Sequence, residues 1–319
     1  MNMKSITFPD SKSTKPSSTY CVQDRNGLLI FLCEALADRF GITPNKQMIL
    51  KLNRIFIDMD FWKLRSHVTE LSSLPAGHST WFELVAKLTV HETYFFRDEP
   101  QLTTVRDRIL PNLIEKNARE KTPSLRILSA GCSTGEEVYS LTMLTLDSLQ
   151  DAGYTIGSAR SGLSLVSNWD LEVVGVDVSA DALFIAKKGC YTEEGLGSFR
   201  KMESRWNDWF DDVDPENSPV KGISTTRRPK EFVRNHTRFE RHNLLQKAMF
   251  FGFFDLILCR NTMIYFCDKN KFTAQQYLFD LLKPGGVLLL GATDPFLCSE
   301  RCVQHNSKGI SYYMNKEPM

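Results

Sequence analysis

The chain has 319 residues, 42% of them hydrophobic, and a formal net charge of +1 at pH 7. That balance excludes a global electrostatic pull toward nucleic acid, and the length suffices for two domains with ample core. No run approaches the roughly 18 apolar residues of a membrane span, and the N-terminus lacks an apolar signal core, so a soluble cytoplasmic protein without membrane insertion is predicted.

Residues 1–20 are rich in Ser, Thr, Lys and Pro and read as a disordered tail. Residues 21–90 read as a small all-α domain. Its first helix runs to Phe40 and stops at Gly41, the second opens at Thr43 and Pro44, the third follows Asp60, and the fourth follows Ser79 or Thr80. Arg39, Lys46, Lys51, Arg54, Lys63 and Arg65 outweigh Asp58 and Asp60 there, which describes a solvated basic face. Residues 91–123 form a linker and a helix from Asp98 to about Arg119.

From Leu125 an apolar run closes on Ser129, Ala130 and Gly131, as a buried parallel strand does before a tight turn. A helix follows, with Ser133 or Thr134 as its cap, Glu136 and Glu137 in its first turn and Val138, Leu141, Leu144 and Leu149 on its apolar face. The glycines are spaced GxxxG, not GxGxxG, and the two carboxylates repel a pyrophosphate, which argues against NAD. They suit a cationic ligand such as S-adenosylmethionine. A second strand ends on Asp177, where a carboxylate can accept both ribose hydroxyls, and Ser179 caps the helix beyond. Between these strands, residues 153–170 are Gly/Ser-rich and read as a surface loop. Residues 195–236 interrupt the αβ alternation. Strands resume at Arg238–Arg241, Asp255–Cys259 and Val287–Leu290, with an antiparallel strand in the tail, so the fold class is α/β. Eight cysteines show no CxxC pair, and Cys298 and Cys302 lack partners for zinc, so no metal and no disulfide is expected.

Six blocks carry a family resemblance: residues 90–99 around TYFFRDE, SAGCSTGEEVYSL at 129–141, GVDVSADAL at 175–183 with AKKGCY at 186–191, HNLL at 242–245, FDLILCRNTMIYF at 254–266 and LLKPGGVLLLG at 281–291. In this order they resemble the CheR family of chemotaxis-receptor glutamate methyltransferases. The resemblance implies an all-α N-terminal domain, then a Rossmann-like class I methyltransferase domain over 124–319 that carries a small antiparallel β-subdomain at about 195–236. It implies S-adenosylmethionine as cofactor, with His91, Thr93, Arg97, Gly131, Glu137, Asp177, Asn243, Leu244, Arg260 and Asn261 around it, and Arg97 and Tyr265 as catalytic residues orienting the acceptor. Lys51 and Arg54 become candidates for docking acidic receptor helices, and the β-subdomain a candidate for binding a receptor's terminal peptide by strand addition. A monomer is expected. His91 and the GATDP run at Gly291–Pro295 depart from the family's usual residues. Two alternatives stand beside a protein-glutamate O-methyltransferase: a class I enzyme acting on another substrate, and a non-catalytic signalling module that binds the donor or its demethylated product.

Overall fold

Short polar caps set the helices of the N-terminal unit. Helix α1 (Arg25–Phe40) opens at Asp24, whose side chain accepts from Gly27 N, and closes at Gly41, whose φ of 76° lets its amide reach Ala37 O. Helix α2 (Lys46–Ile55) is capped by Asn45, one residue beyond the expected Thr43–Pro44 start, because the Asn45 side chain accepts from Met48 N. Helix α3 (Phe61–Ser73) is capped by Asp60, and α4 (Ser79–Leu88) by the His78 ring. Leu28, Leu32, Leu36, Leu52, Leu64, Val68 and Trp81 are fully buried at helical spacing and make the core. Arg39, expected on a solvated face, instead donates to Ser72 O and Leu74 O and lies over the Trp81 ring.

The computed structural model describes residues 22–89, 92–166, 168–193, 197–214, 226–247 and 252–316, so the expected tail at 1–20 lies outside the described residues. Its contacts separate two units: Met1–Val90 with Tyr265–Asn270, and His91–Ile264 with Lys271–Met319. Tyr265–Asn270 joins the helical unit through a hydrogen bond from Thr43 N to Tyr265 O (2.7 Å) and a bridge between Ile42 and Phe266.

In the second unit α5 (Glu99–Thr104) runs through a π-helical turn (Val105–Ile109) into α6 (Leu110–Asn117). Pro111 lacks an amide donor, and the wider turn lies just before it. The following elements are β1 (Ser124–Ala130), α7 (Glu136–Asp151), β2 (Thr155–Ser158), β3 (Gly162–Leu165), β4 (Asp170–Asp177), α8 (Ala180–Lys188), β5 (Tyr191–Thr192), β6 (Phe210–Val213), β7 (Thr226–Pro229), α9 (Glu231–Arg234), β8 (Thr237–Arg241), β9 (Phe254–Cys259), α10 (Asp268–Asp280), β10 (Leu282–Leu290), β11 (Cys302–Ser307) and β12 (Ile310–Asn315). Seven strands form one sheet in the order β11-β12-β10-β9-β1-β4-β8. β8, β4, β1, β9 and β10 are parallel, and β11 and β12 add an antiparallel edge. Ile127, Val173, Val174, Leu256, Ile257, Leu258, Leu288 and Leu289 are all fully buried, as strands covered on both faces require.

Residues 153–170, expected as a loop, contain the hairpin β2–β3. Gly157 (φ 91°) and Gly162 (φ 100°) supply left-handed backbone near its turn. Leu163 and Trp169 bury their side chains in the core, which anchors the segment. A three-stranded antiparallel sheet, β5-β7-β6, stands apart from the main sheet. It starts at Tyr191, before the expected 195, and the chain is back in the main sheet by Thr237.

Asp255, at the start of β9, is buried and accepts from Arg126 N (2.8 Å), Asn117 Nδ2 (2.9 Å) and Lys283 Nζ (2.8 Å), tying α6, β1 and β10 to one carboxylate. Asp255→Ala strands these donors and is expected to cost about 3 kcal/mol in urea unfolding. A loss below about 1 kcal/mol would show that the carboxylate does not organise this end of the sheet.

Candidate functional site

Five parallel strands deliver their carboxyl ends to one edge: β8 at His242, β4 at Asp177, β1 at Gly131, β9 at Arg260 and β10 at Gly291. The chain steps outward from β1 to β4 and β8, then returns to β9 and β10 on the other side. The reversal lies between β1 and β9, where open α/β sheets bind ligands.

Gly131 begins the turn after β1 at φ 92°, and its amide and that of Cys132 donate to Val176 O. A β-carbon at Gly131 would fall 2.1 Å from Thr262 Oγ1, so the turn closes only over glycine. The expected Ser133 or Thr134 cap is absent: Gly135, at φ 96°, occupies the cap position of α7 without a side-chain bond. The two side chains are engaged otherwise, since the Ser133 amide is held by Asp177 and the Thr134 hydroxyl donates to Glu136 Oε2.

Asp177 ends β4 nearly buried. Its Oδ2 accepts from Ser133 N and its Oδ1 from Ser179 N, each at 2.9 Å, while Ser179 caps α8 through Ala182 N. Each oxygen retains a lone pair, the capacity that a vicinal diol uses. His242 N donates to Asp177 O (3.0 Å), so Asn243 and Leu244 follow directly at the neighbouring strand end, both buried. The Asn243 side chain accepts from Leu245 N.

Glu137 and Arg260 meet at the reversal point. Glu137 Oε1 accepts from Ser129 Oγ (2.6 Å), and Oε2 accepts from Arg260 Nε (2.8 Å) and pairs with Nη2 (2.7 Å). The Arg260 side chain is 1% exposed. Its Nη1 donates to Arg97 O (2.9 Å) and Gln101 Oε1 (3.3 Å), and Gln101 Nε2 donates to Leu290 O. Arg97 sits between two residues with left-handed backbone, Phe96 and Asp98, each at φ 58°. Its guanidinium donates to Glu92 O, and Phe96 N donates to Ser140 Oγ on α7. The segment Glu92–Gln101, which includes half-buried Thr93, is thereby fastened to α7, β9 and β10.

Of the residues expected from the sequence, Arg97, Glu137 and Arg260 share one network, and Gly131, Asp177, Asn243 and Leu244 line adjacent strand ends. Asn261, at φ 55°, follows Arg260. His91 lies outside the described residues. Tyr265 belongs to the helical unit. On α2, Arg54 is exposed, whereas the Lys51 ammonium donates to Leu88 O (2.8 Å). Sequence reasoning took Ser129 only as a small residue closing its strand and did not single out Gln101. Both are polar residues at buried positions of an apolar strand and helix, the one signal that marks them.

The donor set decides which ligand fits. Glu136 is buried, bonded to Thr134 and Ser198, and burial pushes its carboxyl above the usual range. The Arg260 charge is already matched by Glu137. The edge thus presents acids and backbone amides, which fits a cationic nucleoside and not a pyrophosphate. Burial pushes the Cys132 and Cys259 thiols well up, so neither is a thiolate nucleophile at neutral pH.

The family model described as CheR methyltransferase, SAM binding domain, matches residues 91–310. Chemotaxis protein methyltransferase 1 of Pseudomonas aeruginosa is 31% identical over 252 residues, covering 78% of this chain and 82% of its own. Chemotaxis protein methyltransferase Cher2 of Pseudomonas putida is 28% identical over 267 residues, covering 83% and 87%, and chemotaxis protein methyltransferase 1 of Vibrio cholerae is 30% identical over 266 residues, covering 82% and 86%.

Arg260→Met removes the guanidinium but keeps the bulk, leaving the Glu137 carboxylate half-satisfied and the Arg97 carbonyl unheld. It is expected to destabilise the protein by about 3 kcal/mol in chemical denaturation. A loss below about 1 kcal/mol would mean that the pair is not what fastens the segment.

Proposed function

The chain belongs to the CheR methyltransferase family, whose methyl donor is S-adenosylmethionine, and we propose that it methyl-esterifies glutamate side chains on the signalling helices of a chemoreceptor in the cytoplasm. The observation that carries the donor site is Asp177: a nearly buried carboxylate with spare lone pairs, one strand from the glycine turn, on an edge lined by acids. Asp177 would take the ribose hydroxyls, Asn243 and Leu244 the adenine side, and Gly131, Glu137, Arg97 and Asn261 the methionine side. The donor supplies an electrophilic methyl group on a sulfonium.

A glutamate with an ordinary pKa of about 4.3 is already ionised at neutral pH, so no general base is needed. The protein's part is alignment, an effect that reaches about 7–11 kcal/mol for well-oriented reactants. Arg97 suits this role. Its backbone carbonyl is clamped by Arg260 and its guanidinium is partly committed to Glu92 O, which restrains the side chain and leaves N–H groups for a carboxylate. Tyr265, four residues after Asn261, is assigned a second donor on the strength of the family motif. Among the α2 candidates, docking of an acidic receptor helix falls chiefly to exposed Arg54, since Lys51 holds Leu88 O.

Calorimetry with S-adenosylmethionine and S-adenosylhomocysteine tests the donor site: Asp177→Ala is expected to weaken both by at least about 100-fold, because two hydroxyls lose a charged acceptor, and unchanged affinity would remove Asp177 from the site. Arg97→Ala is expected to keep the melting temperature and lower turnover on receptor fragments by at least about 100-fold, read as base-labile methyl ester. Near-normal turnover would strip Arg97 of its role. Wild-type donor binding without ester formation on any receptor fragment would favour a class I enzyme with another substrate.

A further inference from the structure

Three consecutive residues ending at Arg97 each have a backbone group held by a different part of the chain. Phe95 N donates to Ser198 O (2.8 Å), Phe96 N donates to Ser140 Oγ on α7 (3.0 Å), and Arg97 O accepts from Arg260 Nη1 at the end of β9 (2.9 Å). Within this clamp the backbone turns left-handed at Phe96, and again just beyond it at Asp98. Residues with a β-carbon keep that conformation only where their surroundings over-determine it. The side chains add to the hold. Phe95 is fully buried with its ring centroid within 5.0 Å of those of Tyr191, Phe199 and Phe210, and the Phe96 ring stacks on Trp206 at 4.5 Å.

Of the three holds, the one on Phe96 comes from a neutral side chain. The Ser140 hydroxyl is fully buried and donates to Glu136 O one turn back (2.7 Å). Buried Thr142 and Thr145 on the same helix make the same kind of bond, to Val138 O and Leu141 O, which is how a hydroxyl satisfies itself inside a helix. Ser140 alone of the three also accepts, among the described residues, from a segment 44 residues away. With its proton directed at Glu136 O, its oxygen is an acceptor toward the Phe96 amide.

We propose that Ser140 is a positioning residue for methyl transfer: it holds Phe96 in its left-handed conformation and thereby sets the point from which the Arg97 side chain departs. This rests on the methyltransferase reading above and on Arg97 as the residue that orients the acceptor. Phe96 and Arg97 share a peptide bond, so relaxation of the backbone at Phe96 rotates the Cα–Cβ direction of Arg97, and a long side chain magnifies the rotation at its guanidinium. A misplacement of about 1 Å in a positioning group can cost about 100-fold in rate. Arg260 still holds Arg97 O when the Ser140 hydroxyl is removed, so the displacement is partial and the loss smaller than that from deleting the guanidinium.

The test is turnover of the full-length protein on receptor fragments at saturating S-adenosylmethionine, read as base-labile methyl ester, for Ser140→Ala, Arg97→Ala and the double variant. Ser140→Ala is expected to lower kcat about 10-fold, equivalent to about 1.4 kcal/mol and in the range of one lost hydrogen bond. In Arg97→Ala protein the same substitution is expected to change turnover less than about 2-fold, because a residue that works through Arg97 then has nothing to position. Damage of a merely structural kind adds in both backgrounds. Thr142→Ala, which removes a buried hydroxyl bonded to Val138 O on the same helix, is expected to keep kcat within about 2-fold of wild type. Amide hydrogen exchange gives a readout apart from activity: Phe96 should exchange at least about 10-fold faster in Ser140→Ala, while β1 and β4 keep their protection. Full turnover in Ser140→Ala, an equal further loss in the Arg97→Ala background, an equal loss in Thr142→Ala or unaltered exchange at Phe96 overturns the role of Ser140 and leaves the methyltransferase reading standing. Wild-type protein that forms no ester on any receptor fragment refutes the receptor reading on which the proposal rests, and the proposal with it.

Discussion

Arg260 and Glu137 meet where the path of the chain through the sheet reverses, and their ion pair fixes several segments at once. Through Ser129 the carboxylate reaches β1, and through its own backbone it belongs to α7. The guanidinium extends from the end of β9 to Arg97 O and Gln101, and Gln101 passes the contact on to β10. A pair this deeply buried adds little net stability over an apolar equivalent, because desolvation cancels much of the attraction. Its value lies in geometry. An apolar cluster tolerates sliding, whereas a two-point ion pair with further hydrogen bonds specifies the position of each participant. The residue whose carbonyl it holds, Arg97, lies between two left-handed non-glycine residues, a backbone that would relax elsewhere without such restraint.

Much of this architecture was legible because the relevant physics is local. The apolar run from Leu125, the glycine at Gly131, the acid at Asp177 and the cap at Ser179 each announce their element within a few residues, and the structure puts them where that grammar implies. What was less legible depends on contacts distant in sequence. Arg260 looks like a ligand-binding cation in a strand-to-loop junction, and only its meeting with Glu137, far away in sequence, reveals a bracket. Glu136 and Glu137 are adjacent and alike, yet one turns toward Ser198 and the other toward Arg260. Residues 153–170 have loop composition, but glycine serves a tight hairpin as well as it serves a loop, and the burial of Leu163 and Trp169 in the core decided the outcome. The cap of α7 failed for a related reason: Asp177 claims the Ser133 amide, and the cap position passes to a glycine.

The same separation of roles governs the electrostatics. Methyl transfer from a sulfonium to a carboxylate joins a cation and an anion and leaves two neutral groups, so a site lined with unpaired charge of either sign would hold one reactant and repel the other. Here Arg260 matches the charge of Glu137, and hydroxyls and backbone amides already hydrogen-bond Glu136 and Asp177, so fixed protein groups rather than water solvate the acids of the edge. Such a surface lets the reactants recognise each other without competing strongly for either. In the proposed reaction Arg97, only partly committed, would bias the direction of the acceptor without binding it so tightly that its nucleophilicity is lost. On this view the stability spent on buried, pre-paired acids maintains an environment in which charge can disappear during the reaction with little rearrangement of the protein, and that is the form preorganisation takes when the transition state is less charged than the ground state.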